Sequence, residues 1–315
     1  MEKVSLIRGL VIVVVYLSLP LLFSGAYQLR VLNLLVVFTL FTLSVNIIFG
    51  HTRQLFLCNG ALVGIGSYTS TLLSMNLGIT PWILFPIGAL VSGVVGSFLS
   101  CIAAIRRLTI IYLAILTLSF QMIFEELTVG LREITGGSEG FTPPRLNLEV
   151  IQGVFNMSRE LAYYYLFIII LLVLLLIYTR IINSHVGVAV KTISEDETAA
   201  AFLGVNVLKY KVLSAFICSL VLGLIGGLYG YYNAYVGPSI FGLTSIDVIV
   251  LVMLVFGGMG TLLGPLLGAG IFSFINELLR PMGPFTTLVF GILLIVLFLY
   301  FREGLVPWLR RLLAS

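Results

Sequence analysis

The 315-residue chain is 60% hydrophobic and only 10% charged, with a mean hydropathy of +1.16 and a formal net charge of +4. Soluble domains carry about 25% charged residues, so a chain this apolar lacks the polar surface to meet water all round, and a soluble enzyme or nucleic-acid-binding domain is excluded. Lysine and arginine held in cytoplasmic loops account for the positive balance without an acidic partner.

Taken in chain order, Glu2, Lys3 and Arg8 precede an apolar run from Gly9 to Phe23. That run looks like a signal peptide, but no small-residue cleavage site follows, so it is expected to stay as a first helix. Apolar segments then recur at 31–49, 61–78, 82–105, 108–128, 161–179, 212–234, 240–256, 262–279 and 285–301. With 9–24 they predict about ten crossings, since a span needs roughly 20 apolar residues. The expected fold class is all-α, a polytopic transmembrane helical bundle, with residues 1–315 as a single domain. Turn residues or charges separate the segments, as at Gly50-His51-Thr52-Arg53, Thr80-Pro81, Arg106-Arg107 and Gly257-Gly258-Met259-Gly260. Two longer polar stretches interrupt the series, 129–160 and 180–211.

Charge sets the expected orientation. With the N-terminus inside and ten crossings, the cytoplasmic side holds Lys3, Arg8, Arg53, Arg106, Arg107, Arg180, Lys191, Lys209, Lys211, Arg302, Arg310 and Arg311. Only Arg30, Arg132, Arg145, Arg159 and Arg280 fall outside, a bias that follows the positive-inside rule. A single helix over 240–279 would strand the last three arginines outside, so a break at the glycine cluster is expected. Both termini are then cytoplasmic, and the 129–160 loop is external.

Small residues recur four apart, as in Gly223 and Gly227, Gly226 and Gly230, Gly260, Gly264 and Gly268, and Ser92, Gly96 and Ser100. That interval puts them on one helix face, where membrane helices approach closely. Cys58, Cys101 and Cys218 are scattered and read as small apolar residues. No GxxxxGK[ST], HExxH, CxxC or GxSxG pattern is present, so no catalytic residue, metal site or cofactor is expected. His51 and His185, at cytoplasmic helix ends, read as solvated or backbone-bonded. Asp247, Glu125, Glu126 and Glu277 are placed near outer helix ends. Ion-driven transporters usually keep an acid at mid-membrane, so this placement weakens, without removing, an ion-coupled secondary transporter of small polar solutes.

The 180–211 stretch carries the most local information. Ser194 and Glu197 have capping-box spacing, Glu195, Asp196 and Glu197 suit a helix N-terminus, and Ala199, Ala200 and Ala201 favour helix. Gly204 suits the C′ position. The expectation is a helix of about nine residues with Ala200, Phe202 and Leu203 offered for contact, too short to persist alone. A solvated linker helix is the plain alternative.

The stretch Glu195-Asp196-Glu197-Thr198-Ala199-Ala200-Ala201-Phe202-Leu203-Gly204 resembles the EAA…G loop of ABC importer permeases. Downstream, Lys209-Tyr210-Lys211, Ser214-Ala215-Phe216, Gly223, Gly226-Gly227, Val236-Gly237-Pro238, Gly257-Gly258-Met259-Gly260-Thr261, Gly264-Pro265 and Gly268-Ala269 follow in an order similar to the branched-chain amino acid permease family. Asn46, Gly50, Gln54-Leu55, Gly64 to Thr69, Tyr112 to Ile115 and Thr135-Gly136-Gly137 agree more loosely, the last two clusters in the M-type manner. Two positions depart: the family's usual glycine before Gln54 is Arg53, and its GHAAF segment reads Cys58-Asn59-Gly60-Ala61-Leu62.

The resemblance implies an ABC importer permease fold whose coupling helix (Glu195, Asp196, Glu197, Thr198, Ala199, Ala200, Gly204) docks on an ATPase. It implies a second homologous permease, two cytoplasmic ABC ATPases and an extracellular or periplasmic substrate-binding protein as partners. Because such a binding protein supplies recognition, Asn33, Asn46, Thr117, Gln121 and Asn233 are candidates to line the pathway. Interhelical hydrogen bonding is the equal alternative for each.

Overall fold

The computed structural model describes residues 15–20, 23, 25–147, 158–285, 288, 289, 291, 292, 295 and 304–306. Much of the expected first and last spans, 9–24 and 285–301, lies outside the described residues, as do both termini and 148–157 of the 129–160 loop. The described chain is helical throughout, with an isolated antiparallel bridge between Phe141 and Val236.

The main helices are α1 (Ala26–Val45), α2 (Asn59–Leu77), α3 (Pro81–Ile105) and α4 (Ile110–Gly130). After the short α5 (Arg132–Thr135) come α6 (Arg159–Ile182), α7 (His185–Glu195), α8 (Glu197–Phe202) and α9 (Val207–Asn233). The series ends with α10 (Val248–Gly257) and α11 (Leu263–Leu279). Two π-helical turns, Asn46–Gly50 and Leu243–Asp247, extend α1 and precede α10. By length and composition five stretches can cross a membrane: Ala26–Gly50, Pro81–Ile105, Ile110–Gly130, Arg159–Ile182 and Val207–Asn233. Leu243–Gly257 and Leu263–Leu279 are apolar but shorter. The class is thus an all-α multi-pass bundle. The expected break after Gly257 is present, with Gly258 at φ 111 and Gly260 at φ 69.

Contacts divide the chain into two compact units, one of Met1–Asn46, Val150–Leu176 and Val250–Ser315, the other of Ile47–Glu149 and Ile177–Ile249. In the second unit α2, α3 and α9 form the most tightly packed group. A Cβ on Gly223 would come 2.5 Å from the Ser92 Cβ, so the four-residue glycine and serine spacing is what lets α9 meet α3 backbone to backbone. The Ser92 hydroxyl lies 2.9 Å from both the Leu62 and the Ser219 carbonyl oxygens, joining all three helices. Without water to satisfy it, a buried hydroxyl must find protein partners of this kind. α2 ends on Gly78 in the left-handed region (φ 65), and Pro81 opens α3 where its missing N–H costs nothing.

In the first unit α1 packs on α11. The polar residues of α1 do not disturb its apolar surface. Thr39, Thr42 and Ser44 each donate to the carbonyl four residues back, at 2.7 Å. Asn33 Nδ2 donates to the Glu160 carbonyl at 3.0 Å. At the start of α1, the Tyr27 hydroxyl donates to Glu277, and the Arg280 guanidinium lies 4.7 Å over the Tyr27 ring.

Candidate functional site

The 180–211 stretch folds as a hairpin of two helices laid against the start of α9. α7 was not expected. Ser184 caps it, its hydroxyl accepting from Val186 N at 3.2 Å, and Gly187, Ala189, Val190 and Ile193 form its buried face. Because α7 runs through Glu195, the expected Ser194–Glu197 capping box does not form. Ser194 Oγ donates back to the Lys191 carbonyl, and Asp196 takes the N-cap instead. The Asp196 carboxylate accepts from Thr198 N at 2.7 Å and Ala199 N at 3.0 Å. The backbone N–H of Ala199, then that of Thr198, holds its pKa below the ordinary carboxylate value.

α8 is therefore six residues, shorter than expected. Its C-terminus closes as a Schellman motif: Gly204 N donates to the Ala201 carbonyl, Val205 N to the Ala200 carbonyl, and Gly204 sits at φ 84. Gly204 thus fills the C′ position its sequence context indicated. Ala200, expected on the contact face, is fully buried against this chain's own helices. The outward apolar pair is Phe202 and Leu203, 89% and 76% exposed. Glu195, Thr198 and Ala199 are exposed as well.

A second polar centre lies at the start of α2, whose N-terminus is buried and has no cap of its own. Cys58, at the N-cap position, contributes no side-chain bond. The first N–H groups of a buried helix need acceptors, and other elements supply them. Asp247, at the end of the second π turn, accepts from Asn59 N at 2.5 Å, Asn59 Nδ2 at 3.0 Å and Gly60 N at 3.1 Å. Gln121 Oε1 accepts from Ala61 N at 2.6 Å, and its Nε2 donates to Glu125 Oε1 and the Phe241 carbonyl, both at 2.8 Å. Thr117, one turn earlier on α4, accepts from Leu57 N at 3.0 Å.

Asp247 is therefore fully buried, not near a solvated helix end as its sequence position suggested, and its charge is spent on a helix N-terminus. Glu125 is half-buried, also accepting from Leu243 N at 2.9 Å. Glu125, Glu126, Ser239, Thr244 and Ser245 border a cleft of about 390 Å³ on this side of the unit.

Of the five pathway candidates, Thr117 and Gln121 are brought together at this centre. Asn46 belongs to the first unit, where Nδ2 donates to the Thr261 carbonyl and Oδ1 accepts from Gly260 N, both at 2.9 Å. Asn33 keeps Oδ1 without a partner, and Asn233, in the second unit, keeps Nδ2 without one.

His51 is another departure, because it bonds a side chain: its Nε2 lies 2.6 Å from the Tyr178 hydroxyl. Burial lowers its pKa to about 4. The unusual Arg53 adopts φ 51, so the position that is glycine in the resembling family is left-handed here. In the 129–160 loop Gly136, Gly137 and Gly140 all take positive φ, and Phe141 and Val236 exchange both backbone hydrogen bonds at 2.9 Å.

Comparison with known proteins bears on all of these elements together. No solved structure matches the chain significantly. The high-affinity branched-chain amino acid transport system permease protein LivM of Salmonella typhimurium is 28% identical across 98% of this chain and 76% of its own length. Its namesake from Escherichia coli is 27% identical over the same shares. Residues 27–300 match the family described as branched-chain amino acid transport system / permease component. That match takes in the α7–α8 hairpin, the α2 start and the break after Gly257, and with it the chain belongs to the branched-chain amino acid transport permease family.

Proposed function

We propose that this chain is the membrane-spanning permease subunit of an ABC importer that carries branched-chain or closely related amino acids inward. ATP is hydrolysed on separate chains. The assembly pairs it with a second homologous permease, two cytoplasmic ABC ATPases and an external substrate-binding protein. Residues 1–315 form one transmembrane domain of about ten crossings, with 180–211 and both termini cytoplasmic and 129–160 external.

One observation carries the coupling role: a six-residue helix, capped at both ends, that holds Phe202 and Leu203 into solvent. A water-exposed phenylalanine and leucine side by side are what a docking knob needs, since exposed apolar clusters mark interaction sites. Glu195, Asp196, Glu197, Thr198 and Ala199 flank that knob; the buried Ala200 and the left-handed turn at the exposed Gly204 fix its orientation. ATP binding and release would move this helix and switch the bundle between two arrangements. Among the pathway candidates, Asn33 and Asn233 retain polar atoms to offer a passing solute. Asn46, Thr117 and Gln121 act through the backbone segments they hold.

The test pairs capture of the ATPases with uptake of radiolabelled leucine into ATP-loaded vesicles. Phe202→Asp with Leu203→Asp should abolish capture and uptake together while the chain still inserts. Capture and uptake at the parent level in that variant would remove the coupling role. Uptake that collapses on adding an ionophore with ATP maintained would instead mark an ion-coupled carrier.

A further inference from the structure

A docked helix does no work unless its displacement reaches the membrane helices. Among the described residues, Lys211 and Asp247 are the buried charged side chains. Asp247 caps α2. Lys211, one turn into α9, sends its ammonium 2.6 Å from Glu197 Oε2 on the first residue of α8. The Lys211 side chain is 11% exposed and the Glu197 side chain 47%, so the pair is anchored on the α9 side.

Hydrogen bonds continue inward from the same residue. The Lys211 carbonyl accepts from Gln54 Nε2 at 3.1 Å, and Gln54 is 2% exposed. That Nε2 also donates to Thr52 Oγ1 at 3.0 Å, and Gln54 Oε1 accepts from Ser100 Oγ on α3 at 2.7 Å. Thr52 Oγ1 donates in turn to the Ile48 carbonyl of the first π turn at 2.5 Å. α8 is thereby tied through α9 to the α1–α2 connection and to the end of α3. A buried ammonium stripped of its partner is strongly unfavourable, so α8 is not free to shift and leave Lys211 behind.

We propose that Glu197, Lys211, Gln54 and Ser100 form the link that converts displacement of α8 into displacement of the membrane helices, with Lys211 as its central positioning residue. The proposal rests on the coupling role of α8. It differs from a purely structural ion pair in one respect: loss of Lys211 separates ATP hydrolysis from transport.

The experiment uses the full complex in proteoliposomes, scoring ATPase retained per permease and leucine imported per ATP hydrolysed. Lys211→Met should retain ATPase within twofold of the parent and continue to hydrolyse ATP, while leucine per ATP falls at least tenfold. Lys211→Arg, which keeps the charge, should return the ratio to within threefold. Glu197→Gln alters only the half-exposed partner and should lower the ratio at least threefold. It decides the matter if Lys211→Met fails to reach the membrane. An unchanged ratio overturns the link. So does parallel loss of ATPase retention and uptake, which would make the pair a support for the docking face. Failure of the coupling role reads out elsewhere, as parent-level capture by the Phe202→Asp, Leu203→Asp variant.

Discussion

Asp247→Ala tests the proposition that a buried carboxylate in this bundle serves a helix end and not a transported ion. The substitution leaves the N–H groups of Asn59 and Gly60 without acceptors, whereas Asn59 Nδ2 retains the Phe56 carbonyl at 2.9 Å. Each orphaned buried donor costs about 1–3 kcal/mol, and losing the anion at a helix N-terminus forfeits up to about 2 kcal/mol more. Against this, a desolvated carboxylate no longer has to be kept in the interior, which returns several kcal/mol. The net expectation is a loss of about 2–4 kcal/mol. Asp247→Asn should lose about half of that, because one oxygen still accepts from Asn59 N while the new amide faces Gly60 N donor to donor.

The chain carries its own reporter. Cys58 is fully buried immediately before Asn59, so a fluorogenic thiol reagent follows opening of the α2 start in detergent-solubilised protein titrated with denaturant. Serine at Cys101 and Cys218 isolates that signal. An Asp247→Ala protein whose opening midpoint corresponds to less than about 0.5 kcal/mol of destabilisation would refute the capping account, given the two bonds at stake.

Further expectations concern the coupling hairpin and its surroundings. A Cβ at Gly204 meets nothing within 4 Å, so the main cost of Gly204→Val is the left-handed backbone at φ 84, about 1–2 kcal/mol; ATPase capture should weaken about tenfold, and Gly204→Asn should weaken it less. Arg53→Gly relieves a non-glycine φ of 51 and should raise the denaturant midpoint by up to about 1 kcal/mol, whereas Arg53→Ala should not. His51 holds its proton less tightly folded than unfolded, with a folded value of about 4. Its contribution is therefore intact above pH 6.5 and lost as pH falls towards 4, on the order of 3 kcal/mol in all, and His51→Phe should flatten that dependence. In a cysteine-free background, Ser138→Cys should react with an impermeant external thiol reagent and Ser194→Cys should be shielded from it; the reverse pattern would invert the proposed topology.

What could be read from the sequence was local, and what could not was long-range. Gly204 announces a left-handed helix end because few other residues tolerate it, and the structure places it there. The small-residue faces of α3 and α9 were legible because their four-residue spacing is itself the contact surface. Ser194 misled because serine and aspartate are equally good caps. The choice between Ser194 and Asp196 was made by α7, whose buried face packs against neighbours the local pattern does not name. Ala200 misled in the same way, since an alanine gives no sign of which side of a six-residue helix is covered. Asp247 is 188 residues from Asn59, and Gln54 is 157 from Lys211. No periodicity within a window of 18 residues reports pairings of that separation.

The break after Gly257 and the start of α2 show a shared logic. Each leaves backbone groups inside the protein with no helical partner, and each is served by a side chain at a π-helical turn. Asn46, opening Asn46–Gly50, holds Gly260 and Thr261 before α11. Asp247, closing Leu243–Asp247, holds Asn59 and Gly60 at the start of α2. π turns recur at functional sites, and here they place a polar group on a backbone that would otherwise be orphaned. The consequence for mechanism is direct. At the two π turns, Asn46 and Asp247 are already occupied with main-chain N–H and C=O groups and are not left open for an ion. Asp247, the buried carboxylate among the described residues, has both oxygens engaged. On the proposed reading, the work of transport enters at the edge of the bundle and not through these two side chains. The exposed pair Phe202 and Leu203, backed by the Glu197–Lys211 contact, is where the described chain offers a handle for it.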